Sequence, residues 1–184
     1  MDVVWAGSMC SGIGGIELGL AAAFAEEGMD LRVRWMVEQD EYCRSILRRH
    51  FPNTKILEDV NSEETKKWVR EFPVTVCSFG FPCQDLSVAG HQKGIHGSRS
   101  GLFFRCWELA VLARSRYVFM ENVPALLAAG RGYGDVLSEV AKSGYNLQWT
   151  TLSAAACGAR HKRDRWWGVA YKDTGGSVDP YLPW

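Results

Sequence analysis

The segment from Val3 to Phe24 restricts this chain more than any other. A short apolar run, Val3, Val4 and Trp5, passes through a stretch holding Gly7, Gly12, Gly14 and Gly15 into the apolar residues Ile16, Leu18, Leu20, Ala22, Ala23 and Phe24. That order predicts a strand, a glycine-rich turn and a helix. The same alternation continues. Strands are expected at 33–37, 55–57, 73–78 and 117–120, with helices at 41–49, 62–70 (capped by Asn61 or Ser62), from Gly101 onward, and at 134–142. Two final strands are expected at 147–152 and 165–170. Parallel neighbours need crossover connections, so alternating strands and helices imply an α/β fold built on a doubly wound, mostly parallel sheet covered on both faces. Ligands of such sheets bind at the carboxyl ends of the strands.

With 184 residues, 47% apolar and 23% charged, the chain reads as one folded domain over 1–172 followed by a short tail over 173–184. No run approaches the roughly 18 apolar residues of a membrane span, and Asp2 stands where a signal peptide carries positive charge, so a cytoplasmic protein with no membrane partner is expected. The cysteines, at 10, 43, 77, 83, 106 and 157, form no C-x-x-C pair. Reduced thiols and no metal site are the expectation. Basic and acidic residues balance at 21 each, which gives no electrostatic case for nucleic acid. Locally, Arg160, His161, Lys162, Arg163 and Arg165 crowd together against Asp164, as either a basic patch or a solvated turn.

Gly12, Gly14 and Gly15 permit a ligand to approach the backbone and the helix N-terminus, although G-x-G-G is not the dinucleotide fingerprint and a tight turn also uses glycine. Glu38, at the end of the second strand, adds an acceptor for ribose hydroxyls. Phe81, Pro82, Cys83 and Gln84 open a long glycine-containing loop over 80–100, of the kind that is usually functional or disordered. A cysteine is more often a buried apolar residue. The proline and glycines around Cys83 set it apart from the other five. Glu121 and Asn122 follow the apolar run Val118, Phe119 and Met120, which puts a carboxyl at a strand edge, where it can serve as an acid beside a nucleophile. The histidines at 50, 91, 96 and 161 have no evident orienting acid, unlike the base of a cysteine protease.

Taken in order, Ser11 to Gly15 with Glu38, Asp59, G-F-P-C-Q at 80–84, E-N-V at 121–123 and R-x-R at 163–165 resemble the motifs of carbon-5 cytosine methyltransferases. Ser87, Gly90, Lys93, Gly94, Arg99 and Leu102 to Phe104 resemble that family's mobile catalytic loop, and the similarity runs from about residue 3 to residue 170. The resemblance implies a Rossmann-like class I S-adenosylmethionine-dependent methyltransferase fold, with DNA as partner. It implies Cys83 as nucleophile at cytosine carbon 6, Glu121 at ring nitrogen 3, and Arg163 or Arg165 at the exocyclic oxygen. The donor S-adenosylmethionine would lie against Cys10, Ser11, Gly12, Ile13, Gly14 and Gly15, with Glu38 at its ribose, Asp59 at its adenine amino group, and Gln39, Val60, Phe81 and Leu102 flanking it. Pro82, Gln84, Ser87, Arg99 and Asn122 are implied at a flipped-out base and the surrounding DNA.

Three positions depart from the family pattern: Cys10 replaces a phenylalanine, Ser8 an aspartate, and His161 a glutamine. Family members usually continue past R-x-R into a target-recognition region and a segment that returns to the donor site. This sequence stops at Trp184, so a second polypeptide supplying both, or a truncated form, is expected. Two other readings are a transfer RNA cytosine methyltransferase and a non-catalytic nucleic-acid-binding or regulatory module.

Overall fold

The computed structural model describes residues 2–81 and 101–172. Pro82, Cys83, Gln84, Ser87, Arg99 and the 173–184 tail lie outside the described residues. Seven strands and five α-helices follow one another: β1 (Asp2–Met9), α1 (Gly15–Glu26), β2 (Met29–Val37), α2 (Glu41–His50), β3 (Lys55–Leu57), α3 (Glu63–Glu71), β4 (Val76–Gly80), α4 (Leu102–Leu112), β5 (Tyr117–Asn122), α5 (Tyr133–Lys142), β6 (Asn146–Ser153) and β7 (Asp164–Tyr171). They form one sheet in the order β3-β2-β1-β4-β5-β7-β6. The pairs from β3 to β5 are parallel, while β7 runs antiparallel to both β5 and β6. The expected doubly wound, mostly parallel sheet is therefore present, with an antiparallel hairpin at one end.

Local chemistry explains the helix starts. The Asp40 side chain accepts from the Cys43 amide at 2.8 Å, and the Ser62 hydroxyl from the Thr65 amide at 3.1 Å, each satisfying a donor that the first helical turn leaves open. Gly14 precedes α1 with φ +88°, and a Cβ there would lie 2.6 Å from the Phe51 ring. Both the conformation and the close approach therefore require glycine.

The fourth strand differs from expectation by beginning at Val76 rather than Pro73. The Thr75 amide donates a hydrogen bond to the Trp5 carbonyl, and its own carbonyl accepts from the amides of Arg116 and Tyr117. This joins it to both neighbouring strands just ahead of the regular ladder.

Helices α3, α4 and α5 place Val69, Phe103, Trp107, Val136 and Val140 in the larger core, against Trp35, Val37, Phe79, Val118 and Met120 of the sheet. On the opposite face, Leu20 of α1 packs on Val4, Ala6, Leu31, Val76 and Tyr117, with Ile16 and Phe24 beside it. Beyond Phe119 no helix among the described residues covers this second face. A groove of about 640 Å³ runs over Phe119, Gln148, Thr150, Leu152, Trp167 and Val169. No helix among the described residues is long and apolar enough to cross a membrane.

Candidate active site

The chain leaves β1 and β4 toward different neighbours, so their adjacent carboxyl ends form the crevice where a ligand is expected. Met9 pairs with Phe79 at that point, which sets Cys10 and Gly80 at the mouth. Two cavities open there. One, of about 380 Å³, is lined by Val37, Glu38, Gln39, Asp59, Val60, Asn61, Phe81 and Leu102. The other, of about 600 Å³, is lined by Ser11, Gly15, Leu152, Ser153, Cys157, Arg163, Arg165 and Trp167. Cys10, Gly80 and Glu121 border both, so a group held in one lies against a group held in the other.

The first cavity gathers most of the expected donor-site residues. Glu38 accepts from the Gly12 amide at 2.7 Å through one carboxylate oxygen and from the Asp40 amide at 2.9 Å through the other. It thus ties the glycine turn to the end of β2. A carboxylate has about four acceptor sites, so these two bonds leave capacity for ribose hydroxyls. A Cβ built at Gly12 or Gly15 meets nothing within 4 Å; the turn leaves open space where a side chain would otherwise stand.

Val60 and Phe81 are buried and supply apolar wall. Phe81 packs edge-on to Phe103 at 5.3 Å between ring centroids. Asp59 sits at the rim, its carboxylate accepting from the Asn61 amide at 2.8 Å. Ile13 is exposed on the turn and lines neither cavity. Ser11 and Gly15 of the turn line the second cavity, and Gly12 and Gly14 line neither; a pocket with carboxylates at one end and an apolar, aromatic wall at the other fits S-adenosylmethionine.

In the second cavity, Glu121 and Arg165 form an ion pair at 2.7 Å between Oε1 and Nε. Register brings them together: Glu121 pairs with Trp167 across β5 and β7, and alternation places Arg165 on the same face as Trp167. The Arg165 guanidinium also donates to the Asp164 carbonyl at 2.8 Å. Arg163 lies just before β7 and is exposed, so of the two arginines Arg165 is the one joined to the acid. Gly80 pairs with Glu121, and a Cβ at position 80 would lie 3.1 Å from the carboxylate; glycine here leaves the acid uncrowded.

Asn122, expected near the substrate, is buried. Its amide donates to the Phe81 carbonyl at 3.4 Å and its oxygen accepts from the Val123 amide at 2.7 Å, which fixes the chain two residues before Cys83. The basic residues 160–163 are exposed beside this cavity.

Sequence reasoning missed Leu152, Cys157 and Trp167 as lining residues. Trp167 was recoverable, because strand periodicity repeats the Arg165 face two residues later. Ser8, noted as a departure from the family pattern, is fully buried and hydrogen-bonded to the Ser11 hydroxyl at 2.5 Å, so it braces the turn from inside. His161 is exposed in the basic stretch. Among the described residues no group of three or more His, Cys, Asp or Glu side chains is placed to hold a metal ion.

Known proteins resemble this chain in sequence and in fold. The Type II methyltransferase M2.BsuMI of Bacillus subtilis is 38% identical over 168 residues, covering 86% of this chain and 39% of its own length. M.Bsp6I of Bacillus sp. is 30% identical, covering 90% and 51%. The chain thus spans about half, or less, of the length of these curated relatives. Among solved structures, the Dnmt2 methyltransferase of S. pombe superposes with a TM-score of 0.73 at 18% identity, covering 96% of this chain and 52% of that one, which shows a shared fold. The family model described as C-5 cytosine-specific DNA methylase matches residues 6–178, and the chain belongs to that family.

Proposed function

We propose that this chain is the catalytic part of a DNA (cytosine-5-)-methyltransferase. The observation that carries the reading is the Glu121–Arg165 pair on the wall shared by two cavities, one of which has the chemistry of a nucleoside-sulfonium site. Cys10, Ser11, Gly12, Gly14, Gly15, Glu38, Gln39, Asp59, Val60, Phe81 and Leu102 would hold S-adenosylmethionine, which supplies an electrophilic methyl group. Exposed Ile13 contributes to the shape of the turn.

In this reading a cytosine flipped out of DNA enters the second cavity. The Cys83 thiolate bonds to carbon 6 and Glu121 holds ring nitrogen 3, so electron density builds at carbon 5. Arg165 orients Glu121 and offers its guanidinium to the exocyclic oxygen, while Arg163 and the neighbouring basic residues face the phosphates. Carbon 5 would then take the methyl group from the donor's sulfonium sulfur, and loss of the carbon 5 proton to a base with departure of Cys83 restores the aromatic ring.

Two variants test the two cavities. Glu38→Ala removes one charged hydrogen bond from the glycine turn and one from the Asp40 amide, and is expected to weaken S-adenosylmethionine binding about tenfold to a hundredfold by calorimetry. Unchanged affinity would remove the donor from this cavity. Glu121→Gln keeps the volume but loses the ion pair, and methyl transfer to DNA should fall on the order of 10² to 10⁴-fold with donor affinity nearly retained. Full activity in that variant would exclude Glu121 from the reaction. Supplying labelled donor with separate DNA and RNA pools decides the substrate class, and label confined to RNA would replace DNA by RNA in the proposal.

The relatives are about twice as long as the matched region, and the groove over Phe119, Leu152, Trp167 and Val169 leaves apolar sheet uncovered on one side. Parallel strands are normally covered on both faces, and the groove begins at Phe119 on the last of them, β5. We therefore propose that further polypeptide, in the same chain or a separate one, covers this groove and supplies target recognition.

A further inference from the structure

We propose that Cys10 and Cys106 are a modification site: a thiol pair that a hydroperoxide converts to a disulfide, reshaping the wall shared by the two cavities. Their sulfurs are 3.9 Å apart although the residues are 96 positions apart in sequence. Cys106 lies on α4 with 0% exposure, in the same core cluster as Phe103 and Trp107. Cys10 is half-buried, borders both cavities and sits at the end of β1 with φ +50°. That left-handed conformation is uncommon for a residue with a Cβ, and it points to a main chain constrained by its surroundings.

The two thiols are unequal in access and in acidity. The hydrogen bond from Cys106 holds the Cys10 thiol below its ordinary range, against burial and the nearby Glu38 carboxylate. The same contact, with burial, pushes Cys106 well up. The reactive thiolate is thus the one that solvent reaches. Cys77, also fully buried, is pushed up to about 12 by burial and is a poor competitor.

In the first step the Cys10 thiolate attacks a peroxide oxygen. A sulfur–oxygen bond forms, the oxygen–oxygen bond breaks, and the alkoxide or hydroxide leaving group takes up a proton, which leaves Cys10 as a sulfenic acid. The Cys106 sulfur then attacks the Cys10 sulfur. The disulfide forms, the sulfur–oxygen bond breaks, and hydroxide leaves with the Cys106 proton as water. Two thiols are oxidised, and one peroxide is reduced to an alcohol or water plus a second water.

A disulfide bond is about 2.05 Å long, so the sulfurs must approach by roughly 2 Å. Helix α4 is anchored in the core, so the movement falls on Cys10 and the turn beyond it. That turn carries Ser11 and Gly12, whose amide is held by Glu38. The bridge is therefore expected to disturb donor binding, a consequence that rests on the function proposed above; the bridge itself does not.

The test treats the reduced chain with hydrogen peroxide, digests it without reductant and maps the linked peptides by mass spectrometry. The expected result is one crosslinked pair, Cys10 with Cys106, lighter by two hydrogens and reversed by dithiothreitol. S-adenosylmethionine affinity should fall at least tenfold on oxidation and recover on reduction. In Cys106→Ala, peroxide should leave a sulfenic acid on Cys10 that dimedone labels. A bridge from Cys106 to Cys77, a bridge from Cys10 to any other cysteine, or over-oxidation of Cys10 with no bridge in the unsubstituted chain would overturn the proposal. Reduced protein that fails to bind the donor counts against the proposed function alone, since the peptide map still decides the bridge.

Discussion

Replacing Cys83 with serine is expected to abolish methyl transfer, by at least about 10³-fold, because a covalent catalyst that loses its nucleophile retains only what binding and polar stabilisation supply. The decisive measurement uses DNA carrying 5-fluorocytosine. Fluorine at carbon 5 cannot leave as a proton does, so the reaction halts with the enzyme attached to the base. The unsubstituted chain, with any polypeptide it requires, should give an adduct that survives denaturation, and Cys83→Ser should give none. An adduct that persists in the serine variant would move the nucleophile elsewhere. Absence of an adduct in both proteins would favour a non-catalytic module that keeps the fold. The outcome does not depend on knowing the recognised sequence, provided the fluorinated DNA samples many contexts.

The largest expected effect on stability comes from Trp35→Ala. Trp35 is fully buried in β2, and its indole donates to the Phe72 carbonyl at 3.0 Å. Gly7 on the adjacent strand makes room for it: a Cβ there would lie 2.3 Å from the ring. The pairing register between β1 and β2 shifts at this point, between Ala6 and Gly7. Removing the ring leaves a large cavity and an unpaired carbonyl, so a loss of about 3–5 kcal/mol is expected, read as a lower urea midpoint at unchanged slope. A loss below about 1 kcal/mol would mean that the sheet relaxes around the gap and that Gly7 is not there to seat the indole. Because β1 and β2 end at the glycine turn and Glu38, donor binding should weaken along with stability.

In the proposed reading Glu38 serves fold and site together. Its position after a strand made it a candidate for the ribose, and its bonds to the Gly12 and Asp40 amides show that it also holds the turn in place. A preorganised turn costs less to bind against than a loose one. Asn122 illustrates the opposite case. Its motif suggested substrate contact, but burial and a bond to the Phe81 carbonyl give it the task of fixing the chain that leads toward Cys83.

Sequence alone determined the alternation of strands and helices, the β3 limits at Lys55 and Leu57, a cap at Asn61 or Ser62, and the placing of Glu38 just past a strand. These follow from local periodicity and capping chemistry, which neighbouring residues set among themselves. Only the tertiary structure decided that β7 inserts between β5 and β6, that Arg165 rather than Arg163 pairs with Glu121, and that Cys10 rests on Cys106. Each depends on register or packing between segments far apart in the chain. A shift of one residue in strand pairing moves a side chain to the other face, and such registers are fixed by the whole core at once.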